Sequence, residues 1–161
     1  MGIKQLLMSA VLLVLLASCA TQQERAERKA QRQEAVNEAV ENRQWRIDVV
    51  SMNPMRYGAR MVSPDFYLEL RNDTLISYLP YLGQVHRAPM SSPSKNLNFE
   101  EPVLRYQQTR KKDRLHQIEI DTRTDEDVYH YWIDLYDSGE ATIRVRSNYH
   151  DPISFDGNMN E

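Results

Sequence analysis

The residue types that most often carry chemistry are scattered along this chain of 161 residues. No two histidines have the close spacing of a compact metal site, so we interpret them as surface or half-buried side chains. No serine lies in a Gly-x-Ser-x-Gly turn, and the glycines are too far apart to form a phosphate-binding loop. The sequence therefore predicts no catalytic centre, no metal site and no cofactor. The histidines are His86, His116, His130 and His150.

The only cysteine, Cys19, ends a segment with a chemistry of its own. Lys4 precedes an apolar run from Leu6 to Ala17, which is shorter than the roughly 20 residues that span a bilayer and is typical of a secretory signal. The run ends in Leu-Ala-Ser-Cys, which is similar to a bacterial lipobox. We therefore predict cleavage before Cys19 and lipidation of its thiol. The alternative is an ordinary signal peptide followed by a chance cysteine.

The predicted lipid determines the predicted location. Several acyl chains, palmitate among them, would hold the protein on a membrane without a transmembrane helix. Ala20 follows the cysteine where an aspartate would favour the inner membrane, by resemblance to known sorting rules. Residues 20–23 lack the acidic run that marks surface export in some bacteria. We predict a cell-envelope lipoprotein in the outer membrane that faces the periplasm.

Trp132 is unusual for its position on a predicted strand. It shares one strand face with His130, Asp134 and Tyr136, although the opposite face of that strand is already apolar. Either both faces are buried, or this face lines a groove. Trp132 and His130 are therefore candidate binding residues.

The segments that must position these residues have a sequence pattern that repeats every two residues. Apolar and polar residues alternate in several segments, which is typical of antiparallel strands with one packed and one solvated face. Asn72-Asp73, Lys111-Lys112-Asp113 and Asp137-Ser138-Gly139 fit tight turns between strands. We predict an all-β fold, an antiparallel meander of about seven or eight strands in a small barrel or two-layer sandwich, preceded by an N-terminal α-helix.

The chain divides into three predicted parts. Residues 1–18 form the signal peptide, residues 19–44 form the lipidated cysteine and a charged helical tether, and residues 45–161 form the β-rich domain. The helix-forming composition of the tether supports a helix whose Val36 and Val40 dock on the domain. The alternative for this helix is a coiled-coil partner. The balance of 20 basic against 23 acidic residues argues against nucleic-acid binding.

Two further segments are similar to the characteristic motifs of a known protein family. The first reads Ser77-Tyr-Leu-Pro-Tyr-Leu-Gly83, and the second, residues 147–157, reads SNYHDPISFDG. With the lipobox and the helical lead, they resemble the domain of unknown function 4251, a family of putative lipoproteins from Bacteroides-like bacteria. The resemblance covers roughly residues 35–159. It departs from the family pattern at Leu82, Gln84 and Phe155.

The resemblance implies no activity, so the role of the first segment is left open. Tyr78 and Tyr81 can cap the core while their hydroxyls reach solvent, and Pro80 can end the strand. Tyr78 and Tyr81 are also candidate binding residues if the segment forms a surface.

The predicted function is that of a non-catalytic binding or interaction module anchored to the membrane through Cys19. Its predicted partner is an envelope protein or a small apolar ligand. The alternatives are an envelope hydrolase, whose site folding would assemble from scattered histidines and carboxylates, and a carrier of a small apolar ligand in a barrel-like pocket.

Overall fold

The computed structural model describes residues 3–86, 96–112 and 114–160, with side chains from residue 22 onward. The Cys19 side chain, the tip residue Asp113 and most of the long connection before Asn96 lie outside the described residues and side chains. Helix α1 (Ile3–Glu41) precedes nine strands. The strands are β1 (Gln44–Pro54), β2 (Arg60–Met61), β3 (Tyr67–Arg71), β4 (Thr74–Leu79), β5 (Leu97–Lys111), β6 (Leu115–Arg123), β7 (Val128–Tyr136), β8 (Glu140–Ser147) and β9 (Ile153–Met159).

Eight of these strands form a closed antiparallel barrel. Strand β1 pairs with β3, each strand from β3 to β8 pairs with the next, and β9 returns to pair with β1. The short strand β2 is the additional one, and it pairs Met61 with Ser51 of β1. The all-β prediction is confirmed, and the barrel is the correct one of the two predicted architectures.

Gly157 lets the barrel close. It lies in β9 opposite Val49 of β1, at the pairing that joins the two ends of the sheet. A Cβ atom at Gly157 would lie 2.3 Å from the backbone oxygen of Asp48 and 3.0 Å from Cγ2 of Ile47. Because a backbone oxygen cannot move aside as a flexible side chain can, only glycine permits this approach.

The inside of the barrel is filled by side chains. The residues that the alternation places on the packed face are buried on β1, β3, β6, β7 and β8. An eight-stranded barrel is just wide enough for side chains to fill it. The largest fully buried side chains are Tyr131, Phe155, Ile47, Leu68, Leu70, Leu75, Leu79, Leu97, Ile118, Ile120, Ile133 and Leu135.

One polar chain crosses this apolar interior. The Tyr131 hydroxyl donates to Ser77 Oγ at 3.1 Å, and Ser77 Oγ donates to the Leu97 carbonyl at 2.7 Å. Burial raises the pKa of Tyr131, so this hydroxyl stays neutral and available as a donor. The chain links β7, β4 and β5 across the core.

The C-terminal part of α1 packs on the barrel, as predicted. Val36 and Val40 are fully buried within the same core cluster as the strand residues. Arg32 crosses the β7–β8 turn, and its guanidinium donates to the carbonyls of Ser138, at 3.3 Å, and Met159. In the part of the chain that the structure describes, no helix is long and apolar enough to cross a membrane.

Candidate functional site

The two distinctive sequence segments meet at the end of the barrel remote from Val36 and Val40. Val85 forms a β-bridge with His150, and the His86 amide donates to the Tyr149 carbonyl at 2.7 Å. The Asp151 amide donates to the carbonyl of Gln84, the residue that follows the first segment, at 3.1 Å. We call this meeting point the closing corner, defined by Tyr81, Gln84, His86, Asp127, His150 and Asp151.

Tyr81 is a buried member of the closing corner. Its hydroxyl lies 2.9 Å from the Gln84 carbonyl and 3.3 Å from the Asp151 carbonyl, and its ring meets the His150 ring edge-on at 5.0 Å. Burial raises the pKa of Tyr81 to about 12. The expectation that this hydroxyl reaches solvent is wrong, because only 8% of the residue is exposed and the hydroxyl holds two backbone segments together.

Asp151 is the charged centre of the closing corner. Its carboxylate accepts from His86 Nε2 at 3.0 Å, from Arg56 Nε at 3.2 Å and from the Gln84 amide at 3.3 Å. These hydrogen bonds, that of His86 first, hold the pKa of Asp151 below its ordinary value. The carboxylate is therefore ionised and structurally engaged rather than poised to take up a proton.

Asp127, His150 and Ser147 come together in a way that is superficially similar to a hydrolytic triad. His150 Nδ1 lies 3.0 Å from Asp127 Oδ2 and 3.1 Å from Ser147 Oγ. Both contacts use the same ring nitrogen, whereas a triad needs the carboxylate and the nucleophile on opposite nitrogens. Asp127 also accepts from the amides of Val128, Asn148 and Tyr149. This cluster therefore shapes the β8–β9 connection and does not form a nucleophile–base pair.

Tyr78 lies away from the closing corner, on the outer face of β4. It stacks on Phe66 at a centroid distance of 5.5 Å and lies 5.8 Å from the Tyr67 ring. The Arg46 guanidinium covers the Tyr67 ring at 3.8 Å. Tyr78 remains 41% exposed, so it can contact a partner, while Tyr81 of the same segment cannot.

Trp132 and His130 lie on the outer wall of β7. His130 Nδ1 contacts Asp121 Oδ1 at 2.7 Å, and the rings of His130 and Trp132 are 6.1 Å apart. Arg105 contacts the other Asp121 oxygen at 2.6 Å. Burial alone would raise the pKa of Asp121, but the hydrogen bonds from Arg105 and His130 hold it below its ordinary value.

This outer wall is a ladder of charged pairs rather than a groove centred on Trp132. Trp132 pairs across the sheet with Glu119 and Arg144, and the Arg146 guanidinium lies 5.8 Å from its ring. Strands β5 and β6 separate Trp132 from Tyr78. The four candidate binding residues therefore occupy three places and form no common site.

A polar cluster that sequence reasoning missed lies where α1 meets the barrel. Arg110 donates to both oxygens of Asp137 at 2.8 and 3.0 Å, and His116 Nε2 lies 2.9 Å from Asn37 Oδ1 of the helix. His116 is only 2% exposed, so its assignment as a surface or half-buried side chain is wrong. Burial, and then the charge of Arg110, lowers the pKa of His116. The alternation, which puts His116 on the packed face, was the available signal.

No group of His, Cys, Asp and Glu side chains suited to a metal ion occurs among the described residues. Cys19 lies in α1, and its side chain is not among those described. Its lipidation therefore stays a prediction.

The geometry defines a small closed antiparallel β-barrel with a helix docked at one end and two sequence segments joined at the other. The profile of the family described as domain of unknown function (DUF4251) matches residues 27–159, and the chain belongs to this family, which confirms the predicted resemblance. The fold is similar to that of a DUF4251 family protein from Bacteroides eggerthii, with a TM-score of 0.63 and 9% identity over 81% of this chain and 87% of that chain. At that identity the likeness shows the fold alone. No curated protein matches the sequence.

Proposed function

We propose that this protein is a lipid-anchored component of the bacterial cell envelope that binds another envelope protein without catalysis. The observation that carries the proposal is a cluster of exposed apolar side chains on the outside of a barrel whose interior is full. We call this cluster the apolar edge. It consists of Val50, Met55, Tyr57, Met61 and Tyr78.

The members of the apolar edge lie on β1, on β2, in the connection between these two strands, and on β4. Strand β2 brings Met61 opposite Ser51, and the Val62 amide donates to the Val50 carbonyl at 3.0 Å. The Val49 amide donates to the Phe66 carbonyl at 2.8 Å, and Phe66 stacks on Tyr78. Two members are strongly exposed, Met61 at 73% and Met55 at 68%. Exposed apolar clusters of this kind commonly mark binding surfaces, and Met and Tyr are enriched in protein interfaces.

A basic side chain flanks the apolar edge and indicates the chemistry of the partner. The Arg60 guanidinium lies 5.8 Å from the Tyr57 ring, whereas the neighbouring Arg56 is already paired with Asp151. A protein surface with an apolar centre and carboxylates at its rim would complement this arrangement.

The two alternatives have less support. A carrier of a small apolar ligand needs an internal cavity, but fully buried side chains such as Tyr131 and Phe155 occupy the barrel interior. A hydrolase needs an available base, but the carboxylates of Asp127 and Asp151 are each engaged by several protein donors.

The anchor is supported by the lipobox-like sequence that ends at Cys19. Cells grown with radioactive palmitate should yield a labelled protein in the membrane fraction, and Cys19→Ala should abolish both the label and the membrane retention. An unlabelled mature protein, or a Cys19→Ala variant that stays on the membrane, would contradict the anchor.

Photo-crosslinking in cells tests the binding surface. A photoreactive amino acid at Met61 should capture one envelope protein reproducibly, while the same amino acid at Gln107, on the outer face of β5, should not. Met61→Glu should reduce capture from a photoreactive group at Tyr57. Equal capture from positions 61 and 107, or capture that survives Met61→Glu, would refute this surface.

A further inference from the structure

A second surface, at the opposite end of the barrel, has a different chemistry. A cleft of about 440 Å³ lies between α1 and the turns that follow β5 and β7. Its volume falls within the roughly 300–1,000 Å³ of small-molecule sites. We call it the junction cleft, and its lining includes Lys29, Arg32, Arg114, Tyr136, Asp137 and Ser138.

The charge of the junction cleft is positive. Lys29 and Arg114 contribute two cations, and neither side chain has an ion-pair partner among the described residues. Arg32 also lines the cleft, and its guanidinium is already engaged by the carbonyls of Ser138 and Met159. Among the described lining residues the one carboxylate is that of Asp137, and Arg110 neutralises it by donating to both of its oxygens.

Neutral donors complete the lining. Ser138 Oγ accepts from the Glu140 amide at 3.4 Å, which leaves the hydroxyl proton for a ligand. Tyr136 is exposed and can donate its phenolic proton. The Tyr136 ring and the aliphatic stems of Lys29 and Arg114 add apolar surface. An arginine fork, a lysine point charge and two hydroxyls suit the several oxygens of a phosphate group.

We propose that the junction cleft binds the phosphate group of a ligand, with Lys29 and Arg114 as its two principal contacts. A phosphorylated soluble molecule and a phospholipid headgroup share this chemistry. The site does not depend on lipidation of Cys19 or on the apolar edge, so it can be tested separately from the proposed function.

The test compares two variants of the full chain with a charge-matched control. Lys29→Gln removes one cation from α1, and Arg114→Gln removes one from the turn between β5 and β6. Lys112→Gln removes a cation from the same turn as Arg114, but Lys112 does not line the cleft. Thermal unfolding of each purified variant checks that the fold is retained.

Inorganic phosphate and glycerol 3-phosphate are titrated by calorimetry at constant ionic strength, with chloride as the competing anion. Vesicles of phosphatidylglycerol in phosphatidylcholine are tested by sedimentation, against phosphatidylcholine alone. Lys29→Gln and Arg114→Gln should each weaken binding about tenfold, which corresponds to roughly 1.4 kcal/mol, while Lys112→Gln should change it less than twofold. Binding of the soluble phosphates identifies a soluble ligand class, and binding only to the phosphatidylglycerol vesicles identifies a headgroup.

Three results would overturn the proposal. The first is that neither the soluble phosphates at millimolar concentration nor the phosphatidylglycerol vesicles bind. The second is that chloride competes for the cleft as effectively as phosphate does. The third is that Lys112→Gln and Arg114→Gln weaken binding equally. If one cleft variant fails to fold, the other, on a different element, still decides between these outcomes.

Discussion

The polar chain inside the barrel allows a sharp test of how tightly the interior is packed. Tyr131 donates to Ser77, and Ser77 donates to the Leu97 carbonyl, within a largely apolar core. Ser77→Ala removes the middle of the chain and leaves the Tyr131 hydroxyl without its partner. Tyr131→Phe removes the outer donor and leaves the bond from Ser77 to Leu97 intact.

The structure predicts different costs for these changes. Tyr131→Phe should lower the free energy of unfolding by about 1 kcal/mol, the typical net value of one hydrogen bond. Ser77→Ala should lower it by about 2–3 kcal/mol, because a fully buried hydroxyl then has no partner. The double variant has no unpartnered hydroxyl, so its loss should be about 2 kcal/mol, clearly smaller than the sum of the single losses.

Urea unfolding followed by far-UV circular dichroism measures these differences. Ser63→Ala, at an exposed position, serves as the control and should change stability by less than about 0.5 kcal/mol. A double variant whose loss equals the sum of the single losses would refute the reasoning. That result would mean that water replaces the missing partner, and hence that the interior is open enough to admit it.

Three further predictions concern closure, the docked helix and pH. Gly157→Ala should lower the free energy of unfolding by about 1–3 kcal/mol through its clash with the neighbouring backbone, whereas Gly58→Ala, with open space around it, should be nearly neutral in the same urea assay. Val40→Ala should cost about 2 kcal/mol, and Val50→Ala, at a half-exposed site, less than about 1 kcal/mol; equal losses would contradict docking of the helix on the core. Because the folded-state pKa of Asp151 is depressed, its stabilisation should be complete above the unfolded-state value of about 3.9 and lost as pH falls below it. Asp151→Asn should therefore be less stable than the wild type near pH 6, with the difference shrinking below pH 4 in denaturation series.

The strands could be predicted because their signal is local. Alternation along a strand reports which side chains face the core, and Asn72 and Gly139, which adopt φ values of 56° and 87°, are suited to the turns that join neighbouring strands. The outer position of Trp132 and the inner position of Tyr131 both follow from this period of two.

The closing corner could not be predicted because it depends on contacts between distant parts of the chain. Tyr81 and Asp151 are 70 positions apart, and no local pattern indicates that the hydroxyl of one meets the carbonyl of the other. The closure of the barrel could not be predicted for the same reason. A glycine such as Gly157 indicates that another backbone comes close, but it does not indicate which strand that backbone belongs to. The burial of His116 was signalled by the alternation, but its polar partners on α1 and β5 were not.

The pairing of β9 with β1 also limits how anything can attach to this protein. Apart from the bulge at Val50, the residues from Ile47 to Pro54 pair with those from Ile153 to Met159. A peptide cannot extend the sheet at that seam by adding a strand of its own. Recognition there must be achieved by side chains, so a single well-chosen substitution on the outer surface can remove a contact while leaving the barrel intact.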